Sequence, residues 1–314
     1  MGKPSILVTY KLPSSAIAPL EAVGDVDVYR DGVLSRAELI RRVKGKQGIV
    51  VAALDKIDKD VVDAGSDLKV IANVAVGYNN LDVPYARSKG IVLTNTPDVL
   101  TEATANMAIT LMLAVTRRIV EGDRLVRRGD WKGFSLDFMI GSDVRDRQLG
   151  VIGMGRIGQV VAAKAAQFGM KVAYHNPSPR EFPEYQSMSL DHLLATSDVI
   201  SVHVPLTPQT RRLIDRTAFS RMKRSAYFIN TSRGAVIDEE GLAWALREGI
   251  IKGAGLDVYE DEPHVHPALL VLENVVLVPH MASATAETRA AMYDLVARNV
   301  VAVLSGRPPL TPIP

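Results

Sequence analysis

The sequence has 314 residues, 47% of them hydrophobic and 23% charged, with a formal net charge of +2 and no cysteine. That length allows two globular domains, and the near-balanced charge gives no ground for a nucleic-acid or anionic-membrane partner. Without cysteine there is no disulfide, thiolate metal site or thiol nucleophile, and nothing else in the composition asks for a metal.

The start, Met1-Gly2-Lys3-Pro4-Ser5-Ile6, lacks an apolar signal segment, and the stretch from Ala105 to Val115 is too short to span a bilayer. A soluble cytoplasmic protein is expected. Short apolar runs at Ile6-Leu7-Val8, Val26-Asp27-Val28, Ile49-Val50-Val51, Val70-Ile71-Ala72 and Ile91-Val92-Leu93 predict strands. Between them, Ser35-Arg36-Ala37-Glu38 has the capping-box pattern and opens a helix through Val43. Alternation at this spacing predicts βαβ units and a parallel sheet.

Thr101 to about Arg128 reads as one long helix with Met107, Leu111, Leu113 and Val115 on its apolar faces. Trp131, Phe134, Phe138, Met139 and Ile140 then stand among Gly129, Gly133 and Gly141. They either pack on their own domain or cover a subunit interface. The interface, in a homodimer, is the expectation, because a glycine-interrupted cluster of large apolar groups is otherwise hard to cover. A second α/β series has strands at 149–152, 172–175, 199–203, 226–230, 254–257 and 275–278. It includes a helix from Ala243 to Glu248 ended by Gly249, and a final helix runs from Met281 to about Leu304.

The first strand of this series ends in Gly153-Met154-Gly155-Arg156-Ile157-Gly158. A strand, a glycine-rich turn and a helix N-terminus together suit a dinucleotide pyrophosphate. Taken alone, the pattern also fits an ordinary glycine-rich turn, so the residues after the other strands decide. Those are Asn176, Ser178 and Arg180, then Val204-Pro205, Thr231-Ser232-Arg233-Gly234, Asp257 and Pro279-His280. Each has an ordinary structural reading, but an Arg, an Asp and a His at three neighbouring strand ends are unusual in a purely structural domain.

Four stretches, Gly153 to Gly158, Ile229 to Ala235, Gly255 to Pro263 and Pro279 to Ser283, resemble the signatures of the D-isomer-specific 2-hydroxyacid dehydrogenases. The similarity runs over essentially the whole chain, and the separations from Arg233 to Glu262 (262 − 233 = 29) and from Glu262 to His280 (280 − 262 = 18) match the family's Arg, Glu, His set. The resemblance implies an α/β protein of two domains. A Rossmann doubly wound nucleotide domain would span 99–283, and a flavodoxin-like substrate domain 1–98 plus 284–314. It implies hydride transfer between a nicotinamide cofactor and a small 2-keto or 2-hydroxy acid. Arg233 would hold the carboxylate with its planar charged fork, and His280 would be the general acid in reduction. Glu262 would orient His280 and raise its pKa. Val76 and Gly77 would offer backbone N–H groups to the carboxylate, and domain closure would exclude water. Leu54, near the carboxyl end of the Ile49 to Ala53 strand, is either a wall of the substrate pocket or an ordinary packing residue. Phe138 and Met139 are candidates to close the pocket from a partner subunit.

Cofactor contacts are expected at Gly153, Gly155, Arg156, Ile157, Gly158, Asn176, Ser178, Arg180, Val204, Pro205, Thr210, Thr231, Asp257 and Ser283. At the end of the second strand an acidic residue normally holds the ribose hydroxyls and repels a phosphate. Asn176 stands there, with Arg180 nearby. Opposite charges 4 Å apart gain about 4 kcal/mol at an effective dielectric of about 20, and about a third of that is already tenfold in affinity. NADP(H) is therefore expected in preference to NAD(H). The stretches Tyr174 to Glu181 and Thr94 to Thr101 resemble the glyoxylate and hydroxypyruvate reductase branch. Alternatives are a 3-phosphoglycerate or D-lactate dehydrogenase, and a nicotinamide-sensing corepressor-like protein. Asp146, where relatives carry glycine, tolerates left-handed backbone better than most residues. Lys223-Arg224-Ser225 in place of a Pro-Gly turn and Asn79 in place of Asp remove no catalytic group.

Overall fold

Val- and Ile-rich runs with no polar alternation suit strands covered by helices on both faces, which is how both halves of the chain fold. The structure, a computed structural model, describes residues 2–177 and 180–314, and the counts below are of these residues. They form two units, Met1–Leu100 with Ser283–Pro314, and Thr101–Ala282.

In the first unit the order is β1 (Ser5–Val8), α1 (Ser14–Glu21), β2 (Asp25–Val28), α2 (Arg36–Arg42), β3 (Gly48–Ala52), α3 (Lys59–Ala64), β4 (Val70–Val74), α4 (Val83–Ser88) and β5 (Val92–Thr94). Among the described residues the five strands pair in parallel as β2-β1-β3-β4-β5, the flavodoxin-like order. Leu7, Ile49, Val51, Ile71 and Leu93 form one side of its core with Leu39, Val43 and Val61. Ser35 caps α2 by accepting the Glu38 N–H at 3.3 Å. The Glu38 carboxylate turns outward to Arg41 and Arg42 instead of completing the capping box.

The second unit contains α5 (Thr101–Thr116), α6 (Ile119–Arg127), β6 (Gln148–Ile152), α7 (Arg156–Gln167), β7 (Lys171–His175), β8 (Gln186–Ser187), α8 (Leu190–Thr196), β9 (Val199–Val202), α9 (Arg216–Ser220), β10 (Tyr227–Asn230), α10 (Glu239–Arg247), β11 (Gly253–Leu256), α11 (Pro267–Leu270) and β12 (Val275–Leu277). Its seven described strands are all parallel, in the order β12-β11-β10-β9-β6-β7-β8. This is a Rossmann doubly wound sheet. The direction of winding reverses between β6 and β9, and the crevice outside the strand ends there is where such sheets bind ligands. Its two faces bury separate cores, one around Phe219 and Phe228, the other around Leu111, Met112 and Leu149.

Four elements differ from the sequence expectation, and one of them is α10, which opens at Glu239, four residues before Ala243 (243 − 239 = 4). The long helix from Thr101 breaks into α5 and α6, because the Thr116 carbonyl accepts the Ser142 N–H at 2.8 Å and the helical ladder stops. Arg118 then takes a left-handed conformation at φ 55°. The final helix, α12 (Ala286–Leu304), starts later than Met281, where the Thr285 side chain accepts the Thr288 N–H. The two-residue strand β8 carries no apolar signal at all. Asp146 does adopt left-handed backbone, at φ 63°. Trp131, Phe134, Leu136 and Ile140 are each more than half exposed, and Phe138 is 43% exposed. No helix among the described residues is long and apolar enough to cross a membrane.

Candidate active site

The glycine turn follows β6, and its three glycines meet three different demands. Gly153 sits at φ +97°, and a Cβ there would lie 2.8 Å from the His203 backbone. Gly158 packs against the strand so closely that a Cβ would come within 2.2 Å of the Gly153 carbonyl oxygen. A Cβ on Gly155 would meet nothing within 4 Å. The fold therefore has room there, and Gly155, at the N-cap of α7, brings no side chain of its own to the helix start. An open turn leading into a helix N-terminus fits the pyrophosphate of a dinucleotide. Asn176 Oδ1 accepts the Met154 N–H at 2.7 Å and so fixes the turn from the end of β7. Sequence reasoning gave Asn176 to the ribose alone and missed this bond.

Beside the turn, Val204 is buried, and Thr210 donates to the Pro205 carbonyl at 2.6 Å, closing the loop after β9. His203 precedes them, its ring hydrogen-bonded to Ser201 at 2.8 Å. Burial pushes its pKa down to about 4. A histidine held neutral in the fold adds stability above its ordinary pKa of 6.5, and that stability is lost as pH falls from 6.5 toward 4. The upper bound is about 3 kcal/mol, reduced by the exposure the residue keeps. Denaturant titrations at pH 7 and pH 4.5 should show a weaker pH dependence in His203→Gln than in the parent. An identical dependence in both proteins would remove His203 as the cause.

The chemistry-bearing side chains come from the ends of β10, β11 and β12. Asn230, fully buried, accepts from the Ser232 N–H at 3.0 Å and donates to the Arg233 carbonyl at 3.0 Å, holding the loop that carries Arg233. Burial lowers the Arg233 pKa, opposed by the Glu262 carboxylate. Gly234 makes the approach possible, since a Cβ there would fall 1.8 Å from the Tyr259 carbonyl carbon. Glu262 accepts the Tyr259 N–H at 2.9 Å and shares a 2.6 Å hydrogen bond with His280 Nδ1. Burial pushes the Glu262 carboxyl up, yet His280, the Tyr259 N–H and Arg233 together hold it below its ordinary value.

His280 itself has φ 48°, a backbone that a non-glycine residue adopts only when its surroundings enforce it. Asp257 does the enforcing. It is completely buried, its carbonyl accepts the His280 N–H at 2.9 Å, and its two carboxylate oxygens accept the Met281 and Ala282 N–H groups at 2.6 and 3.0 Å. With no exposed surface and both oxygens engaged, Asp257 holds the turn that presents His280. Tyr259 was also missed. Its hydroxyl donates to the Val278 carbonyl at 2.9 Å, tying the end of β12 to the Glu262 turn.

In the first unit, Ala75 and Val76 turn their carbonyls to Thr96 N–H (2.9 Å) and Asn95 Nδ2 (2.8 Å). A trans peptide points its N–H opposite to its carbonyl. The N–H groups of Val76 and Gly77 therefore face away from those partners, and neither has a hydrogen-bond partner among the described residues. Leu54 is 59% exposed just past β3. Ser283 opens the returning segment of this unit, and its carbonyl accepts the Thr285 N–H at 3.0 Å. Arg180 lies 5.7 Å from the Phe182 ring centroid. Ser178 lies outside the described residues.

The profile of the D-isomer specific 2-hydroxyacid dehydrogenase NAD binding domain matches residues 109–282. The chain belongs to this family. A glyoxylate reductase of Thermococcus onnurineus is 43% identical over 320 residues, covering 98% of this chain and 95% of that one. The crystal structure of the TT0316 protein from Thermus thermophilus superposes with a TM-score of 0.94 at 45% identity, over 99% of this chain and 100% of that one. An NADPH-dependent glyoxylate/hydroxypyruvate reductase of Sinorhizobium meliloti, solved with NADP and malonate, gives 0.90 at 37% identity, over 99% and 97%. As a 2-hydroxyacid dehydrogenase the chain is an oxidoreductase that uses a nicotinamide cofactor.

Proposed function

We propose that the chain reduces glyoxylate and hydroxypyruvate to the corresponding 2-hydroxy acids, with NADPH as the preferred cofactor. The His280–Glu262 hydrogen bond at 2.6 Å carries this reading. With Nδ1 held by the carboxylate, Nε2 is the nitrogen that faces the substrate. The bound cofactor supplies the hydride to the carbonyl carbon. His280 Nε2 gives its proton to the carbonyl oxygen, and Glu262 stabilises the imidazolium before transfer. Arg233, Val76 and Gly77 take the substrate carboxylate. Gly153, Gly155, Arg156, Ile157 and Gly158 hold the pyrophosphate, with Val204, Pro205, Thr210, Thr231, Ser178 and Ser283 around the rest of the cofactor.

The cofactor preference rests on charge. No carboxylate stands at the end of β7, where Asn176 is. Asn176→Asp makes a clean test, because either residue accepts the Met154 N–H and only the charge differs. Purified protein mixed with glyoxylate, hydroxypyruvate, pyruvate or oxaloacetate, and with NADPH or NADH, is followed by loss of reduced-cofactor absorbance. NADPH is expected to win by about tenfold or more in kcat/KM, and Asn176→Asp to reverse that preference. A parent enzyme that favours NADH refutes the cofactor reading, and no oxidation with any pair refutes the reductase reading.

We also read the exposed row from Trp131 to Ile140 as the face of a homodimer, with Phe138 and Met139 reaching the partner's pocket. Large apolar side chains at this exposure ask for a cover. A monomer in sedimentation equilibrium removes this reading.

A further inference from the structure

One buried carboxylate of the second unit has no part in the reaction described above. Glu239 opens α10, where an acid in the first turn ordinarily faces water and favours the helix by its charge alone. Here the side chain is buried instead, and Oε1 accepts the Glu260 N–H at 2.7 Å, 21 residues further on. Burial is the largest influence on its carboxyl and pushes the pKa up, the Glu260 N–H opposes this, and the Glu262 charge is among those that reach it. A carboxyl kept out of water for one backbone N–H asks what that bond holds.

It holds one peptide group. The N–H belongs to the peptide joining Tyr259 to Glu260, and Gly234 packs on the same peptide. A Cβ on Gly234 would stand 1.8 Å from its carbon, and 2.2 Å from both its nitrogen and its oxygen. The segment from Gly234 to Glu239 therefore grips this peptide at two points. That segment is itself fixed. The Ala235 and Val236 carbonyls accept the Arg212 and Ile214 N–H groups at 2.9 and 3.2 Å, and the Asp238 N–H donates to the Ile214 carbonyl at 3.0 Å.

On the other side of the peptide stands the acid–base pair. The Tyr259 N–H donates to Glu262 Oε1 at 2.9 Å, and Glu262 Oε2 meets His280 Nδ1 at 2.6 Å. The Tyr259 hydroxyl anchors the turn where it leaves β11, and Glu239 anchors the residue after it. The Glu260 carboxylate adds only contacts at 3.5 Å to the exposed Arg211 and Arg212, and exposed pairs of this kind contribute little.

We propose that Glu239 is a positioning residue for the reaction: it locks the Tyr259–Glu260 peptide against the fixed segment before α10 and so keeps Glu262 on His280. It acts through Glu262 and is not itself catalytic. The position needs an oxygen acceptor, which a carboxylate, a carboxylic acid or an amide supplies equally.

The proposal rests on the reading of Glu262 and His280 as the acid–base pair, and a double-mutant cycle separates the two. Glyoxylate reduction is followed at saturating reduced cofactor. Glu239→Met keeps the bulk and removes the oxygen, and should lower kcat about tenfold or more. The KM for glyoxylate should stay within about twofold, because Arg233 adjoins the fixed segment. Glu239→Gln restores the acceptor and should bring kcat back to within about threefold of the parent. With Glu262→Ala already in place, Glu239→Met should cost less than about twofold more. Parent-like kcat in Glu239→Met, or a Glu239→Gln protein as slow as Glu239→Met, overturns the proposal and leaves the acid–base reading standing. An equal loss in both backgrounds shows a general structural role and also overturns it, as does failure of both Glu239→Met and Glu239→Ala to fold. Parent-like turnover in Glu262→Ala overturns the acid–base reading together with the proposal.

Discussion

Replacing His280 by alanine is expected to lower turnover about 10²- to 10⁴-fold, the range for removing a positioned proton donor. Arg233→Ala should cost a comparable amount, because it removes the proposed anchor of the substrate carboxylate and takes a cation away from the buried Glu262. Cofactor binding should survive in both variants. Arg233 follows β10 and His280 follows β12, two and four strands from β6 in the sheet. At about 4.8 Å per strand these are roughly 10 and 19 Å from the glycine turn. Stopped-flow turnover and fluorescence titration with NADPH separate the two effects. Turnover near that of the parent in either variant would remove the assignment of that residue. A matching loss of cofactor affinity would show that the site had come apart.

Gly234→Ala is the second large effect. Its Cβ would stand 1.8 Å from the Tyr259 carbonyl carbon and 2.2 Å from the Glu260 nitrogen. Both are backbone atoms, so no side chain can swing aside. The Arg233 loop has to part from the turn that carries Glu262, which costs about 1–3 kcal/mol or more as overpacking. A displacement of about 1 Å at a catalytic group costs on the order of a hundredfold in rate. A fall in Tm together with such a loss in kcat is the expected result. Gly155→Ala gives the contrast, because its Cβ meets nothing within 4 Å. Stability should then stay within about 0.5 kcal/mol while the KM for NADPH rises. A Gly155→Ala protein that unfolds, or that binds NADPH as the parent does, would show that the open cradle is not a phosphate site.

Apart from β8, the described strands were legible in the sequence to within one or two residues because their signal is local. Ile49-Val50-Val51 and Val199 to Val202 are apolar on both faces and can only lie inside a covered sheet. The glycine turn and the positions of Arg233 and His280 were legible for a related reason: each lies within three residues of a strand end, so its place in the chain sets its place on the sheet edge, whereas Glu262, six residues past β11, was read from the family resemblance. The break at Thr116 was not legible, since it depends on Ser142, 26 residues further on (142 − 116 = 26), taking a carbonyl that a helix would otherwise use.

The sequence by itself determined the parallel α/β architecture and the set of side chains available to the chemistry, because periodicity, turn glycines and strand ends act over a few neighbouring residues. Only the tertiary structure decided which polar groups are already committed and which are left over. Asp257 spends both oxygens on the His280 turn, Asn176 holds the Met154 N–H, and the Tyr10 hydroxyl has no partner among the described residues. A hydrogen bond is made by whichever donor the fold brings within about 3 Å, and for these side chains that donor comes from a distant part of the chain.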